Sequence, residues 1–237
     1  MQSLTIIIPC YNEAGRLNRP AFIGFAASQP HVHFIFVNDG STDQTAAVLD
    51  EFKATLSSAD VIHLRQNAGK AEAVRQGMLA GLQQEISYIG YLDADLSVSL
   101  EDYMELIKEA ELDKLDMVIG SRIKKLDTQI ERSFLRHITG RVLATIIDAS
   151  FHLGVYDTQC GAKAFKPEIL KPIIQEKFIT KWFFDVEILL RIRKLKKNYK
   201  AREIPLKQWI NRKDSKLGPL SFPAVMKDIF LLMRKYK

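Results

Sequence analysis

Cysteine is scarce in this chain. Cys10 and Cys160 are the only two among 237 residues, and they lie far apart without metal-ligand spacing, so they suggest neither a disulfide framework nor a zinc site. Two packed thiols in a reducing compartment is the expectation. No run of about 18 apolar residues exists, so no transmembrane helix is expected. The opening stretch MQSLTIIIPCYNE carries no basic leader and its apolar run is broken by Pro9, which argues against a signal peptide. No G-x-G-x-x-G follows the first apolar run and no G-x-x-x-x-G-K-[ST] occurs, which disfavours a dinucleotide-dependent oxidoreductase and excludes a Walker-type loop. Internal repeats, low-complexity tracts and nucleic-acid-binding motifs are also missing, so nucleic-acid binding would rest on net charge alone.

What remains is ordinary in bulk: 47% apolar and 26% charged residues, with a formal charge of +6. That composition belongs to a globular protein, and the positive balance suits an anionic partner such as a nucleotide or a phospholipid surface. The length accommodates one main domain, expected over 1–210, with a basic amphipathic segment over 211–237.

Short β-rich runs occur at 4–9, 33–38, 61–65, 88–93 and 116–120, separated by helical patterns. Near-continuous apolar strands alternating with helices predict an α/β architecture, a mostly parallel sheet covered on both faces. Each run is followed by a polar or glycine-bearing signature: CYNEAGR, NDGSTD, NAGKAEA, DADLS and SR. Because ligands of open α/β sheets bind outside the carboxyl ends of the strands, these signatures are expected to converge on one edge.

In YLDADLS, Asp93 and Asp95 flank Ala94, and both carboxylates can turn to one side. Two hard oxygen ligands, completed by diphosphate oxygens and water, suit Mg²⁺ or Mn²⁺. In NDGSTD, Gly40 makes the turn and Ser41, Thr42 or Asp43 caps the next helix, which leaves Asp39 available to a nucleobase or ribose. Gly69 and Lys70 precede a helix and form either an anion site or a simple helix start. Arg122 is either a second diphosphate contact or a salt-bridge partner.

Together the stretches IIIPCYNE, VNDGSTD, NAGKAEAVRQGM, LDADLS and VIGSR, in this order, resemble the family 2 glycosyltransferases. YDTQCGAKAFKPEIL, KWFFDVEILLRIRK and EIPLKQWINRKDSKLGPLS look like the polyprenyl-phosphate branch, most similar to the dolichyl-phosphate β-glucosyltransferases and next to the mannose synthases. The resemblance implies a GT-A, Rossmann-like fold and transfer of a sugar, glucose from UDP-glucose before mannose from GDP-mannose, to a polyprenyl or dolichyl phosphate with inversion. By position, Pro9, Tyr11, Glu13 and Asp39 would surround the nucleoside, Lys70 and Arg122 the diphosphate, and Asp93 and Asp95 the metal. Asn38 departs from the aspartate often found there. A transferase with a saccharide acceptor and a non-catalytic sugar-nucleotide-binding partner are the remaining readings.

Asp157 and Asp185 are candidates to position the acceptor or act as base alongside Asp95; loop capping and a structural salt bridge are their alternatives. Arg136, Arg141, Lys163 and Lys213 are the candidate cations for the acceptor phosphate. Helices are expected near 133–153, 182–197 and 222–236. In the first, Ile138, Val142, Ile146 and Ala149 share a face, and in the last Phe222, Val225, Met226, Ile229, Phe230 and Met233 do, either toward the core or on a membrane surface. The run RIRKLKKNYKAR is either a solvated helix face or, through Lys194, Lys196 and Lys197, a surface that would attract anionic lipid. A peripheral location at the cytoplasmic face of a membrane, attached by surface or by a membrane-protein partner, follows as the expected setting.

Overall fold

A computed structural model describes residues 3–130, 134–195, 198–210 and 222–237. Strands β1 (Leu4–Cys10), β2 (Val32–Asn38), β3 (Ala59–His63), β4 (Tyr88–Leu92) and β5 (Met117–Ser121) coincide closely with the five apolar runs. Helices α1 (Arg19–Ser28), α2 (Thr45–Thr55), α3 (Lys70–Gly81) and α4 (Leu100–Leu112) connect them. After a short strand β6 (Gln129–Ile130) come α5 (Phe134–Phe151), β7 (Ala162–Phe165), α6 (Pro167–Leu170), α7 (Phe184–Leu195), β8 (Ala201–Pro205), β9 (Gln208–Trp209) and α8 (Phe222–Tyr236).

The main sheet has seven strands in the order β3-β2-β1-β4-β7-β5-β8. All neighbours pair in parallel except β7, which lies antiparallel between β4 and β5. A separate two-stranded ladder joins β6 to β9.

The pleat sorts each strand into two cores. Ile6 and Ile8 of β1 and Phe34 and Phe36 of β2 face α1, α2 and α4, where Phe22, Phe52 and Tyr103 are buried. Ile7, Ile35 and Val37 point the other way, against Val74 and Met78 of α3 and Phe184 and Ile188 of α7. This period of two, with apolar residues at both phases, is what a sheet covered on both faces requires.

A third core joins α5, α7 and α8 through Ile147, Phe151, Val186, Leu190, Val225, Ile229 and Leu232. Here two expected helix faces are corrected. On α5 the inward residues are Ile147 and Phe151, whereas Ile138, Val142, Ile146 and Ala149 are exposed. On α8 the expected face is split: Val225 and Ile229 are buried, while Met226 is exposed and Phe230 keeps 64% of its surface open. Each helix meets its neighbours along a seam offset from its most continuous apolar stripe. Helix α8 is also tied to the approach to α7, because Asp228 accepts from the backbone N–H groups of Lys181 (3.0 Å) and Trp182 (2.8 Å). Arg191 is likewise no solvated cation of a basic run. It binds buried Glu187 at 2.7 Å and donates to the carbonyl oxygens of Ile173, Glu176 and Lys177.

Candidate active site

The carboxyl ends of β1 and β2 are stitched together by side chains. The Asn12 N–H donates to Ser41 Oγ (3.0 Å), the Thr42 N–H to Asn12 Oδ1 (2.9 Å) and the Glu13 N–H to Thr45 Oγ1 (2.8 Å). Asn12 accommodates the tight turn with φ of 54°, a conformation asparagine tolerates better than most residues. Pro9 fits at this end of β1 because the β4 ladder has already finished at Ile7, so no donor is missed on that side. Tyr11 is half-buried in the same loop, and buried Glu13 binds Arg16 at 2.6 Å.

Asp43 marks the entry to α2, accepting from the Thr45 N–H at 2.9 Å, whereas Ser41 and Thr42 turn to Asn12. Asn38 accepts from the Ser41 N–H and places its amide nitrogen 3.0 Å from His63 Nδ1, so its amide closes the same turn. Buried Asp39 accepts from the N–H groups of Ala68 (2.7 Å) and Gly69 (2.9 Å) and from Asn67 Nδ2 (3.1 Å). It thereby fixes the loop that delivers Lys70. Gly40, at φ of 62°, passes so close to the backbone of Gln66 and Asn67 that any Cβ would collide with it.

Asp93 and Asp95 follow β4 directly. Asp95 Oδ1 accepts from the Ser97 N–H at 2.9 Å, an Asx turn that fixes its orientation. Asp93 Oδ1 lies 2.5 Å from Lys70 Nζ. Its Oδ2 lies against Gly161, where a Cβ would strike the carboxylate. Burial works against the Lys70 ammonium, but Asp93, Asp185 and Asp95 together outweigh it and raise its pKa. Its Nζ also stands 5.9 Å from the ring centroids of both Tyr91 and Phe184.

Among the described residues no group of three His, Cys, Asp or Glu side chains could form a protein-only metal cage. Two hard carboxylates in a glycine-lined space fit Mg²⁺ or Mn²⁺ that takes its other ligands from phosphate and water.

Across the site Arg122 makes a bidentate pair with Asp157, Nε to Oδ2 and Nη2 to Oδ1, both 2.7 Å, while its own N–H donates to Oδ2 at 3.1 Å. Burial opposes the guanidinium charge and Asp157 more than offsets it, so the pKa is raised. Arg122 also stands 5.5 Å from the Trp209 ring centroid. Glu203 of β8 holds Asp157 from behind, accepting from its N–H at 2.6 Å and from that of Tyr156 at 2.8 Å. Arg141 stacks on Tyr156 with its guanidinium carbon 3.8 Å from the ring centroid and donates to the Tyr156 carbonyl.

The expectation for Lys163 needs correction. Its side chain is 0% exposed, and Nζ is committed to Asp185 Oδ1 (2.5 Å) and the Cys160 carbonyl (2.7 Å). β7 faces α7 at this position, so the lysine points into the core. Asp185 takes the salt-bridge alternative and also accepts from the Tyr91 hydroxyl. Burial, then Asp185, pushes the Tyr91 pKa well above its usual value. The Arg136 side chain and Lys213 lie outside what the structure describes, as do Lys196 and Lys197. Both cysteines are free and buried, and burial pushes the Cys160 thiol up to about 12.

Sequence reasoning missed Gly161, Glu203, Trp209 and Tyr156. Tyr156 and Gly161 lie within the quoted stretch YDTQCGAKAFKPEIL, and Glu203 and Trp209 within EIPLKQWINRKDSKLGPLS, so a signal existed for the stretches although none of the four residues was singled out.

The model for the family described as "Glycosyl transferase family 2" matches residues 5–174. The chain belongs to glycosyltransferase family 2. The transferase is 32% identical to a dolichyl-phosphate beta-glucosyltransferase of Dictyostelium discoideum, over 98% of this chain and 74% of that one. The Saccharomyces cerevisiae enzyme of the same name is 30% identical over 98% and 75%. A polyprenol monophosphomannose synthase of Mycolicibacterium smegmatis is 29% identical over 86% and 77%. Among solved structures, glucosyl-3-phosphoglycerate synthase of Mycobacterium tuberculosis, crystallised with Mn²⁺, UDP-glucose and phosphoglyceric acid, superposes with a TM-score of 0.71 at 18% identity, covering 98% of this chain and 79% of that one. At that identity the likeness establishes the fold, which is GT-A-like. No described helix of the transferase is long and apolar enough to cross a membrane.

Proposed function

We propose that the transferase moves glucose from UDP-glucose to a polyprenyl phosphate with inversion at the anomeric carbon. The observation that carries this reading is the pairing of two cations with two carboxylates around one sheet edge, Lys70 with Asp93 and Arg122 with Asp157. The names of its relatives supply the acceptor class and favour glucose.

Pro9, Tyr11, Glu13 and Asp39 line the nucleoside end, and Lys70 and Arg122 face the diphosphate. Asp93 and Asp95 would hold Mg²⁺ or Mn²⁺, which supplies Lewis-acid stabilisation of the charge on the departing diphosphate. An acceptor phosphate oxygen forms the new bond to the anomeric carbon as the bond to the diphosphate oxygen breaks, and the diphosphate leaves with the electron pair. A phosphate monoester is already anionic at neutral pH, so no strong base is needed and positioning governs the rate. Asp157 contributes through Arg122, which it orients, and through the acceptor side of the pocket. Asp185 contributes through the Lys163 and Tyr91 contacts beneath Lys70. Arg141, held on Tyr156, is the described candidate for the acceptor phosphate.

The acceptor reaches the site from a lipid surface at the cytoplasmic face, against which the open stripes of α5 (Ile138, Val142, Ile146) and α8 (Met226, Phe230) would lie.

The test is sugar transfer to a short polyprenyl phosphate in detergent, comparing UDP-glucose with GDP-mannose, each with Mg²⁺, Mn²⁺ or chelator. Metal-dependent transfer from UDP-glucose alone is expected. Transfer from GDP-mannose alone would replace the donor, and failure of both while nucleotide still binds would remove the acceptor assignment.

A further inference from the structure

We infer that Asp228 of α8 is a positioning residue for the active site, acting through the segment that leads into α7 and through Gln159 on the loop over 157–161. The acceptor side of this inference rests on the functional reading above. Four consecutive backbone N–H groups lie ahead of α7, and two carboxylates from different helices divide them. Glu187 Oε2, from α7 itself, accepts from Ile179 (2.9 Å) and Thr180 (3.2 Å). Asp228 Oδ2 accepts from Lys181 (3.0 Å) and Trp182 (2.8 Å). Half of the segment is thus held by the helix it enters, and half by a helix that follows later in the chain.

A carboxylate is a costly choice for that place. Asp228 is buried on a seam whose other inward residues are Val225, Ile229 and Leu232, and a charge there is tolerated because it is hydrogen-bonded. An apolar side chain could seat α8 but could not accept from the Lys181 and Trp182 N–H groups, so what Asp228 adds is the placement of the segment. That segment reaches the site along two routes. The Trp182 carbonyl accepts from Gln159 Nε2 at 3.2 Å, and Gln159 sits between Asp157, which orients Arg122, and Gly161, which adjoins Asp93. Two residues beyond Trp182, Phe184 packs on Tyr91 with 5.7 Å between ring centroids and stands beside Lys70.

The nucleoside end is anchored separately. Asp39 holds the Ala68 and Gly69 N–H groups, and Asn12 with Ser41 and Thr42 closes the turns beside it, with no residue of α7 or α8 in these bonds. A loosened Asp228 should therefore be felt by the acceptor, on the side of Asp157 and Tyr156, and not by the nucleotide.

Two readouts on the full chain test this relay. Hydrogen exchange followed by mass spectrometry needs no turnover: in Asp228→Ala, exchange should quicken roughly 5-fold or more at 179–182 and also across 157–161, the size that one lost hydrogen bond allows. Kinetics report the consequence. Asp228→Ala should raise the KM for a short polyprenyl phosphate about 10-fold, while the KM for UDP-glucose stays at the wild-type value. Asp228→Asn keeps an acceptor oxygen and should restore most of the wild-type behaviour. Gln159→Leu cuts the relay at its far end with α8 still seated and should raise the same KM, and the double variant should be no worse than the weaker of its parents. Faster exchange confined to 179–182, a fall in active fraction with both KM values unchanged, or additive losses in the double variant overturns the inference. Wild type that transfers to no polyprenyl phosphate would remove the functional reading, and exchange across 157–161 would then decide the relay by itself.

Discussion

Carboxylates at the two sides of the site are held in different ways. On the proposed donor side Asp93 follows a parallel strand with 39% of its side chain exposed, while on the proposed acceptor side Asp157 and Asp185 each keep only 7%. The difference comes from topology. A parallel strand of an open sheet ends at an edge, so residues just beyond it face the ligand crevice. β7 runs the other way between β4 and β5, and the loop before it folds under Glu203, so charges there meet each other before they meet a ligand. Donor-side charges are therefore expected to govern chemistry, and acceptor-side charges to govern the integrity of the pocket as well.

Substitution on the donor side gives the largest expected effect. Asp95→Ala should lower metal-dependent sugar transfer by roughly 10³-fold, corresponding to the several kcal/mol of charge stabilisation that a bound metal supplies. Thermal stability should be retained. Normal turnover would remove Asp95 from the metal site.

Substitution on the acceptor side should act on folding. Asp185→Asn leaves the buried Lys163 ammonium without its carboxylate, and breaking such a pair from one side costs about 3–5 kcal/mol. Urea denaturation should show the loss, and Lys163→Met combined with Asp185→Leu should recover most of it, since an apolar replacement leaves no charge stranded. A single variant as stable as wild type would mean that the pair contributes little to the pocket floor.

These contrasts also explain what was legible in the sequence. β1 to β5 could be read almost residue by residue because each is a short apolar run ended by a polar signature, and the glycosyltransferase motifs fell at their ends. β7 was missed because AKAF is only four residues long and carries a lysine, and its antiparallel insertion is a tertiary choice. β8, an edge strand reading AREIP, lacks the apolar phase that reveals a strand. Lys163 announced a cation but not its burial. For α5 the apolar stripe was correctly seen as continuous, yet periodicity cannot say which stripe meets the core when Leu143, Ile147 and Phe151 form a second one.

Gly161 connects the two sides and should give an intermediate effect. Gly161→Ala forces a Cβ against the Asp93 carboxylate. A displaced ligand of this kind typically weakens metal binding about 10- to 100-fold, measurable as Mn²⁺ affinity with UDP present. Unchanged affinity would show that Asp93 can move aside freely.

The open stripes of α5 and α8 allow a comparison of similar size between membrane and solution. Phe230→Asp removes an aromatic side chain whose burial contributes about 1.5–3 kcal/mol, so binding to anionic vesicles should fall about 10-fold or more. Transfer to a short acceptor in detergent should change little. Equal vesicle binding by both proteins would detach α8 from the proposed lipid face.

The smallest effect concerns Lys70. Its pKa is raised above the ordinary 10.5, with burial opposing the charge and Asp93, Asp185 and Asp95 outweighing it. A group whose folded pKa is raised contributes stability that is complete below the unfolded value and is lost as pH rises through the folded one. The Lys70 side chain is 40% exposed, so the contribution should stay within about 1 kcal/mol, the range of solvent-accessible ion pairs. Wild type should therefore exceed Lys70→Met in stability at neutral pH by a small margin that vanishes above the lysine range, as followed by denaturant midpoints across alkaline pH. A margin that grew with pH would have the wrong sign for an ammonium held by carboxylates, and would place the dominant contact of Lys70 elsewhere than Asp93.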